Sequence, residues 1–273
     1  MDRYAVIGNP IAHSQSPRIH TAFALQTGQK MEYTALLAPL DGFVATVEQF
    51  CREGGRGLNV TVPFKLEAHD FADRLTPRAE AAGAVNTLRF DTAGVLGDNT
   101  DGAGLVADLT LNLGAALQDA RVLLLGAGGA ARGALLPLLE ARPARLTIAN
   151  RTPARATELA ERFGDRAGTC ELHAGAFAEL AGQNFDIVIN ATSASLDDHA
   201  PPLPEGIYAP GALAYDMVYG AHDTAFMRAA RAAGATRVAD GLGMLVSQAA
   251  ESFAVWRGVC PETAPVLAAL RAR

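Results

Sequence analysis

The sequence predicts an α/β protein of two domains with largely parallel sheets. Three observations carry that expectation. Strand-like and helix-like stretches alternate from one end of the chain to the other. The texture changes after "GDNTDGAG", where a unit of roughly a hundred residues is complete, about the size of a domain. Beyond it, a glycine-rich turn joins an apolar strand to a helix. With 273 residues, 49% of them hydrophobic and 19% charged, the chain has apolar material for sizeable cores.

In the first half, "YAVIG" (Tyr4 to Gly8) is an early strand. "SPRIHTAFALQTG" reads as a helix with Ser16 as cap, Pro17 at its first position and Gly28 as its stop. "MEYTALLA" is the next strand, and "LDGFVATVEQFCREGG" a helix ending at Gly54 and Gly55. "LNVTVPFK" then alternates: Leu58, Val60 and Val62 form one face, Asn59 and Thr61 the other. Pro63 ends this strand and releases Lys65 from the ladder. By position alone Lys65 is a solvated charge. "TPRAEAAG" starts a helix from the Thr76 cap and Pro77. Asn86 to Phe90, a turn through Asp91 to Gly94, and Val95 to Gly97 make a hairpin.

In the second half, "DGAGLVADLTLNLG" is a helical connector. "ARVLLLGAGGAARGALLPLLEA" is strand, glycine turn and helix; "RLTIANRT" and "PARATELAERFG" are the next strand and helix. "FDIVINATS" and "LAYDMVYG" are strands, "DTAFMRAARAAG" is helical, "TRVAD" is extended, and "GMLVSQAAESFAVWRG" is a long helix.

The glycine turn, Gly126, Ala127, Gly128, Gly129 and Ala130, opens a helix directly after a strand. Glycines there permit a tight turn and close backbone approach to a pyrophosphate at the helix N-terminus. Ala131 falls where a dinucleotide motif takes Gly or Ala, so this half reads as a Rossmann-like dinucleotide-binding domain. At the end of the second strand, where NAD-binding folds carry an acid, the chain has Asn150, Arg151 and Thr152, with Arg155 a helical turn on. Guanidinium groups suit a 2′-phosphate, which selects NADP(H) over NAD.

Composition narrows the partners. A net charge of −6 and the lack of a Lys/Arg cluster argue against nucleic acid. No apolar run is long enough for a membrane span to be expected, and "MDRYAVIGNP" lacks the charged start, apolar centre and cleavage site expected of a signal peptide. Cys51, Cys170 and Cys260 show neither disulfide nor metal-ligand spacing, and the six histidines show no ligand pattern. No metal is expected, and a reducing cytoplasm is the default compartment. Oligomeric state is not written in the sequence; a homodimer is kept open.

"IGNPIAHSQSP", "NVTVPFK", "GAVNT", "GDNTDG", "GAGGAARG", "NRT", "INATS" and "DMVY", in this order over nearly the whole chain, resemble the shikimate dehydrogenase family. That family reduces 3-dehydroshikimate with NADPH on the route to chorismate and the aromatic amino acids. The resemblance implies Lys65 and Asp101 as the catalytic pair, with the formal acid left open between them. It implies Ser14 and Ser16 as donors to the substrate carboxylate, and Asn59, Thr61, Asn86, Tyr219 and Gln248 as further substrate ligands. Met217, Gly241 and Met244 would neighbour the nicotinamide, and Thr192 and Ser193 the cofactor edge. Each residue also has a plain reading: Ser14 and Ser16 as turn and cap, Asn86 closing a turn, Gln248 on an exposed helix face. The joint occurrence favours the site.

The implied domains are 1–101, completed by the helices of 238–273, for the substrate, and 102–237 for NADP, with a cleft between them. Three places depart from the family pattern: Gly220-Ala221 after "DMVY", Ala194-Ser195-Leu196 after "NATS", and Pro77. The rival readings are a quinate/shikimate dehydrogenase with relaxed cofactor use, a non-catalytic sensor paralogue, and a methylenetetrahydrofolate dehydrogenase. Arg151, the Lys65–Asp101 pair and the serines of "HSQSP" argue against them in turn.

Overall fold

A computed structural model describes residues 1–272. In chain order, the first half runs β1 (Asp2–Gly8), α1 (Ser16–Thr27), β2 (Met31–Leu37), α2 (Phe43–Arg52), β3 (Gly55–Val60), α3 (Lys65–Phe71), β4 (Arg74–Leu75), α4 (Pro77–Ala82), β5 (Thr87–Asp91) and β6 (Gly94–Asp98). It continues through α5 (Asp101–Ala107), a π-helical turn at Asp108–Asn112, β7 (Arg121–Leu125), α6 (Gly129–Glu140), β8 (Arg145–Ala149), α7 (Pro153–Phe163) and β9 (Glu171–Gly175). The remainder is β10 (Phe185–Asn190), β11 (Tyr208–Asp216), α8 (Ala225–Ala232), β12 (Arg237–Ala239), α9 (Leu242–Arg257) and α10 (Ala264–Arg271). Two compact units result: residues 1–104 joined by the chain from 245 onward, and residues 105–244. No helix among the described residues is long and apolar enough to cross a membrane.

The first unit is built on a mixed sheet of order β2-β1-β3-β5-β6-β4. β2, β1 and β3 are parallel, and β5 runs antiparallel to both β3 and β6. Alternation along β1 assigns its two faces. Ala5 and Ile7 join Leu58, Val60, Phe43, Val47 and Phe64 in one core, while Tyr4 and Val6 join Tyr33 in another. A third cluster packs α1, α9 and α10 through Ile19, Phe23, Val246, Phe253 and Val266. The sheet is therefore buried on both faces, as parallel strands usually are.

This double burial corrects the expectation for "LNVTVPFK". Asn59 is 6% exposed and Val62 62% exposed, the reverse of a strand with one wet face. The strand ends at Val60, before Pro63, and Lys65 is the first residue of a helix instead of a strand-end residue. The cap of α1 also differs: Gln15 holds the N-cap position, and Ser16 is already helical and buried. Thr76 caps α4 as expected, its hydroxyl accepting from the Ala79 amide with Pro77 at the first helical position.

The second unit carries an all-parallel sheet of order β12-β11-β10-β7-β8-β9. Counted within the unit, that is the 3-2-1-4-5-6 order of a doubly wound dinucleotide-binding fold, reversing between β7 and β10. β11 ends at Asp216, earlier than "LAYDMVYG" suggested, because the Asp216 carboxylate takes the Val218 amide and bends the chain away.

Candidate active site

The register of the first sheet sets its polar edge. Asn59 pairs with Thr87, and Thr87 with Asp98, so β3 ends where β5 begins and β6 ends. The segments leaving this edge carry Thr61, Lys65, Asn86, Thr100 and Asp101. Lys65 Nζ donates to Asp101 Oδ2 at 2.6 Å, with the lysine side chain 32% and the aspartate 19% exposed. The pair is thus half-sheltered yet open to solvent. Asp101 does not turn freely: Asn86 Nδ2 donates to its Oδ1 at 2.8 Å, and its own amide donates to Asn99 Oδ1.

Asn86 is itself oriented by neighbours. Its Oδ1 accepts from the Thr100 amide at 2.8 Å and the Thr87 hydroxyl at 2.9 Å, which leaves its amino group for Asp101. The same amino group reaches Gln248 Oε1 at 3.3 Å, bringing α9 to the site. α9 approaches α5 closely enough that a Cβ on Gly104 would stand 2.5 Å from Gln248. Below this edge, Arg78 grips Asp98 with two bonds of 2.7 Å, and Thr76 donates to the same carboxylate. Burial alone would raise the Asp98 carboxyl, but the guanidinium wins and holds it below its usual value.

The structure links the expected catalytic pair, Lys65 and Asp101, through hydrogen bonds to Asn86 and Gln248 of the expected substrate residues. Ser14 lies in the turn after β1 and accepts from the Ser16 amide at 3.3 Å. Thr61 is half-buried and its hydroxyl has no hydrogen bond among the described residues. Asn59 departs from expectation. Its Oδ1 accepts from Tyr33 at 2.7 Å and faces His20 Nε2 at 3.0 Å; its Nδ2 donates to Ser252 at 2.8 Å and Thr87 at 3.2 Å. It points into the layer under α1 and α9 and does not line an open face. The sequence reading missed Thr87, Thr100, Ser252 and His20. The one available signal was spacing: Ser252 follows Gln248 by one helical turn, and its hydroxyl donates to the Gln248 carbonyl.

The cofactor candidates line the carboxyl edge of the second sheet. The Gly126 amide donates to the Ala149 carbonyl, and the Ala191 amide to the Leu125 carbonyl, so three strand ends lie side by side. Gly126 has φ +106, and a Cβ there would press on Ala191 at 3.1 Å; only glycine fits. Around Gly128 and Gly129, at the start of α6, an added Cβ would meet nothing within 4 Å. The helix N-terminus therefore presents bare amides to open space, a fit for a pyrophosphate. Arg151 and Arg155 are exposed beside β8 and form no ion pair among the described residues. Asn150 Nδ2 ties the turn by donating to the Thr152 carbonyl.

Thr192 donates to Asn190 Oδ1 through both its amide and its hydroxyl, and Ser193 starts the short helical turn after it. Met217 and Tyr219 follow β11; Tyr219 is 43% exposed, and its partial burial raises its phenol. The Gly241 amide donates to the Val218 carbonyl, and a Cβ on Gly241 would collide with Met217. Met244 lies in the first turn of α9.

A mixed unit bearing a clamped Lys–Asp pair and a doubly wound unit bearing an anion cradle are the two halves of a dinucleotide-dependent enzyme. The comparisons narrow that class. Three family models match in order: shikimate dehydrogenase substrate binding domain over residues 6–88, shikimate / quinate 5-dehydrogenase over 108–197, and shikimate 5′-dehydrogenase C-terminal domain over 241–271. The shikimate dehydrogenase (NADP(+)) of Aromatoleum aromaticum is 65% identical, over 99% of this chain and 97% of that protein. Among solved structures, an Ael1 enzyme from Pseudomonas putida matches with TM-score 0.93 and 51% identity, covering 99% and 98% of the two chains. Shikimate 5-dehydrogenase from Thermus thermophilus, in complex with NADP(H) and shikimate, matches with TM-score 0.86 and 35% identity, over 100% and 99%. The chain belongs to the shikimate dehydrogenase family.

Proposed function

We propose that the chain catalyses the reversible NADPH-dependent reduction of 3-dehydroshikimate to shikimate. The carrying observation is Lys65 held on Asp101, with Asn86 fixing the carboxylate's other oxygen. When bound, NADPH supplies the hydride. The substrate carbonyl oxygen then needs a proton and a nearby positive charge, and Lys65 Nζ offers both. In the oxidation direction the pair accepts the hydroxyl proton. Asp101 keeps the ammonium in place and bonds the adjacent ring hydroxyl. Partial exposure of Lys65 lets solvent restore the proton.

Substrate binding follows from the same edge. Ser14, Ser16, Thr61 and Gln248 of the first unit supply hydroxyl and amide groups for a small polar anion, Asn86 contributes through its hold on Asp101, and Tyr219 of the second unit is taken as a further ligand. A site of this kind discriminates by leaving its polar groups unpaired against the wrong ligand. Gly128, Gly129 and Ala130 would hold the pyrophosphate and Arg151, Thr152 and Arg155 the 2′-phosphate. Thr192 and Ser193 would border the cofactor, and Met217, Gly241 and Met244 its nicotinamide. The substrate and cofactor domains are taken as 1–101 with 238–273, and 102–237. A cytoplasmic location completes the reading, and light scattering decides between a monomer and a homodimer.

The test is NADPH oxidation with 3-dehydroshikimate, run beside NADH and beside quinate oxidation. NADPH with 3-dehydroshikimate should give the highest kcat/KM. Preference for quinate or NADH would move the chain to a relaxed quinate/shikimate enzyme, and no turnover would make it a binding paralogue.

A further inference from the structure

Behind the catalytic pair lies a buried hydrogen-bond network in which the two asparagine amides have a defined sense. The Thr100 amide can only donate, so the atom it meets on Asn86 is the acceptor Oδ1. The backbone carbonyl of Asn86 can only accept, so the atom of Asn59 that meets it is the donor Nδ2. Between these two amides stands Thr87. It accepts from Asn59 Nδ2 at 3.2 Å and donates to Asn86 Oδ1 at 2.9 Å, while its oxygen also meets the Ser252 hydroxyl at 2.8 Å, where either group can donate. Asn59 is held in this sense by Tyr33, whose hydroxyl donates to its Oδ1, and by His20 Nε2 on the same oxygen. Asn59, Thr87 and Asn86 are all buried, so these bonds are sheltered from bulk solvent.

We propose that Asn59 and Thr87 are positioning residues for catalysis: with the Thr100 amide they hold the Asn86 amide in one sense, so that its amino group faces Asp101 and keeps that carboxylate on Lys65. Asn59 then acts without touching substrate, in place of the ligand role its motif suggests. Reversal of the Asn86 amide would set its carbonyl oxygen against Asp101, two acceptors facing each other at hydrogen-bond distance. This inference rests on the dehydrogenase assignment of the Lys65–Asp101 site.

Asn59→Leu breaks the hub but strands several buried polar groups and can unfold the protein. Thr87→Val is gentler, because it removes one hydroxyl and keeps a β-branched residue in the strand. Thr87→Val should lower kcat about tenfold, with both KM values within about twofold, and Thr87→Ser should restore it. In the Asp101→Asn background Thr87→Val should cost nothing further. A raised shikimate KM with unchanged kcat, or a full additional loss in the double variant, overturns the proposal. A crystal structure of Thr87→Val reads the same point without turnover. The Asn86 amide should have left Asp101 Oδ1, and an unchanged contact overturns the positioning role even if the wild type proves inactive on shikimate.

Discussion

The two sheets make polar sites by opposite means. On the first, side chains do the work: Lys65, Asp101, Asn86, Thr87 and Asn59 bond one another in a fixed sequence, and most of them are buried. On the second, the main chain does it: Gly128 and Gly129 leave amides facing open space, and the arginines beside them are unpaired among the described residues. The ligands proposed for the two sites account for the difference. A small ring with several hydroxyls must be matched oxygen by oxygen, which calls for oriented side chains. A pyrophosphate needs only convergent N–H groups and positive charge. The first region should therefore fail by misalignment and the second by lost charge.

The largest effect lies in the side-chain site. Lys65→Met or Asp101→Asn should lower kcat by about a hundredfold or more, since general acid–base assistance is typically worth that. Thermal melts should show both variants folded. Near-normal turnover in both would remove the pair from the chemistry.

A buried side-chain network also carries a pH liability that a main-chain site lacks. His20 is fully buried against Tyr33, and burial pushes its imidazole down to about 3, opposed only in part by its bond to Asn59. The folded protein therefore holds His20 neutral while the unfolded chain protonates it below its ordinary value of 6.5. Its contribution is full above that value and is lost progressively as pH falls toward 3. Between pH 7 and pH 5 the loss is about 2 kcal/mol. Urea unfolding followed by the single tryptophan, Trp256, which packs 5.3 Å from the His20 ring, reads it out. His20→Gln should remove that part of the slope; an identical slope in the variant would place the pH sensitivity elsewhere.

In the second region Arg151→Ala should weaken NADP by about tenfold in kcat/KM and leave NAD nearly unchanged, because one charge-assisted contact to the 2′-phosphate is lost. Its fold is untouched, since Arg151 is exposed. An unchanged NADP preference would sink the assignment and shift it to Arg155 or to the backbone.

What the sequence disclosed divides along the same line. The main-chain site was readable, because glycines, a strand and a helix lie within a dozen residues of each other and need no distant partner. The side-chain site was readable only as types. "NVTVPFK" shows Asn59 but not its direction, which is set by Ser252, 193 residues away on α9. The short α3 escaped notice because seven residues give too little periodicity after a proline. β9, an edge strand reading "ELHAG", was missed because only one neighbour pairs with it and its polar residues face solvent. α10 was expected only as one of the helices of 238–273, without bounds; it packs on α1, which no local pattern records.

The departure at Ser195 gives the smallest and most instructive effect. Asp216 is fully buried with no cation beside it among the described residues, and its carboxylate is held by neutral donors. Thr224 donates to Oδ2 at 2.6 Å and Ser195 at 2.5 Å, while Asn190 Nδ2 and the Val218 amide serve Oδ1. Ser195 thus ties the loop after β10 to the end of β11. Ser195→Gly removes one donor of four and loosens that loop, so stability should fall by about 1 kcal/mol. Turnover should hardly change, because Lys65 and Asp101 belong to the other unit, whereas KM for NADP should rise about two- to threefold as Thr192 gains freedom. Parallel steady-state kinetics and denaturant titration measure both. A kcat loss comparable to that of Lys65→Met would mean that the two polar sites are not as separable as their construction implies.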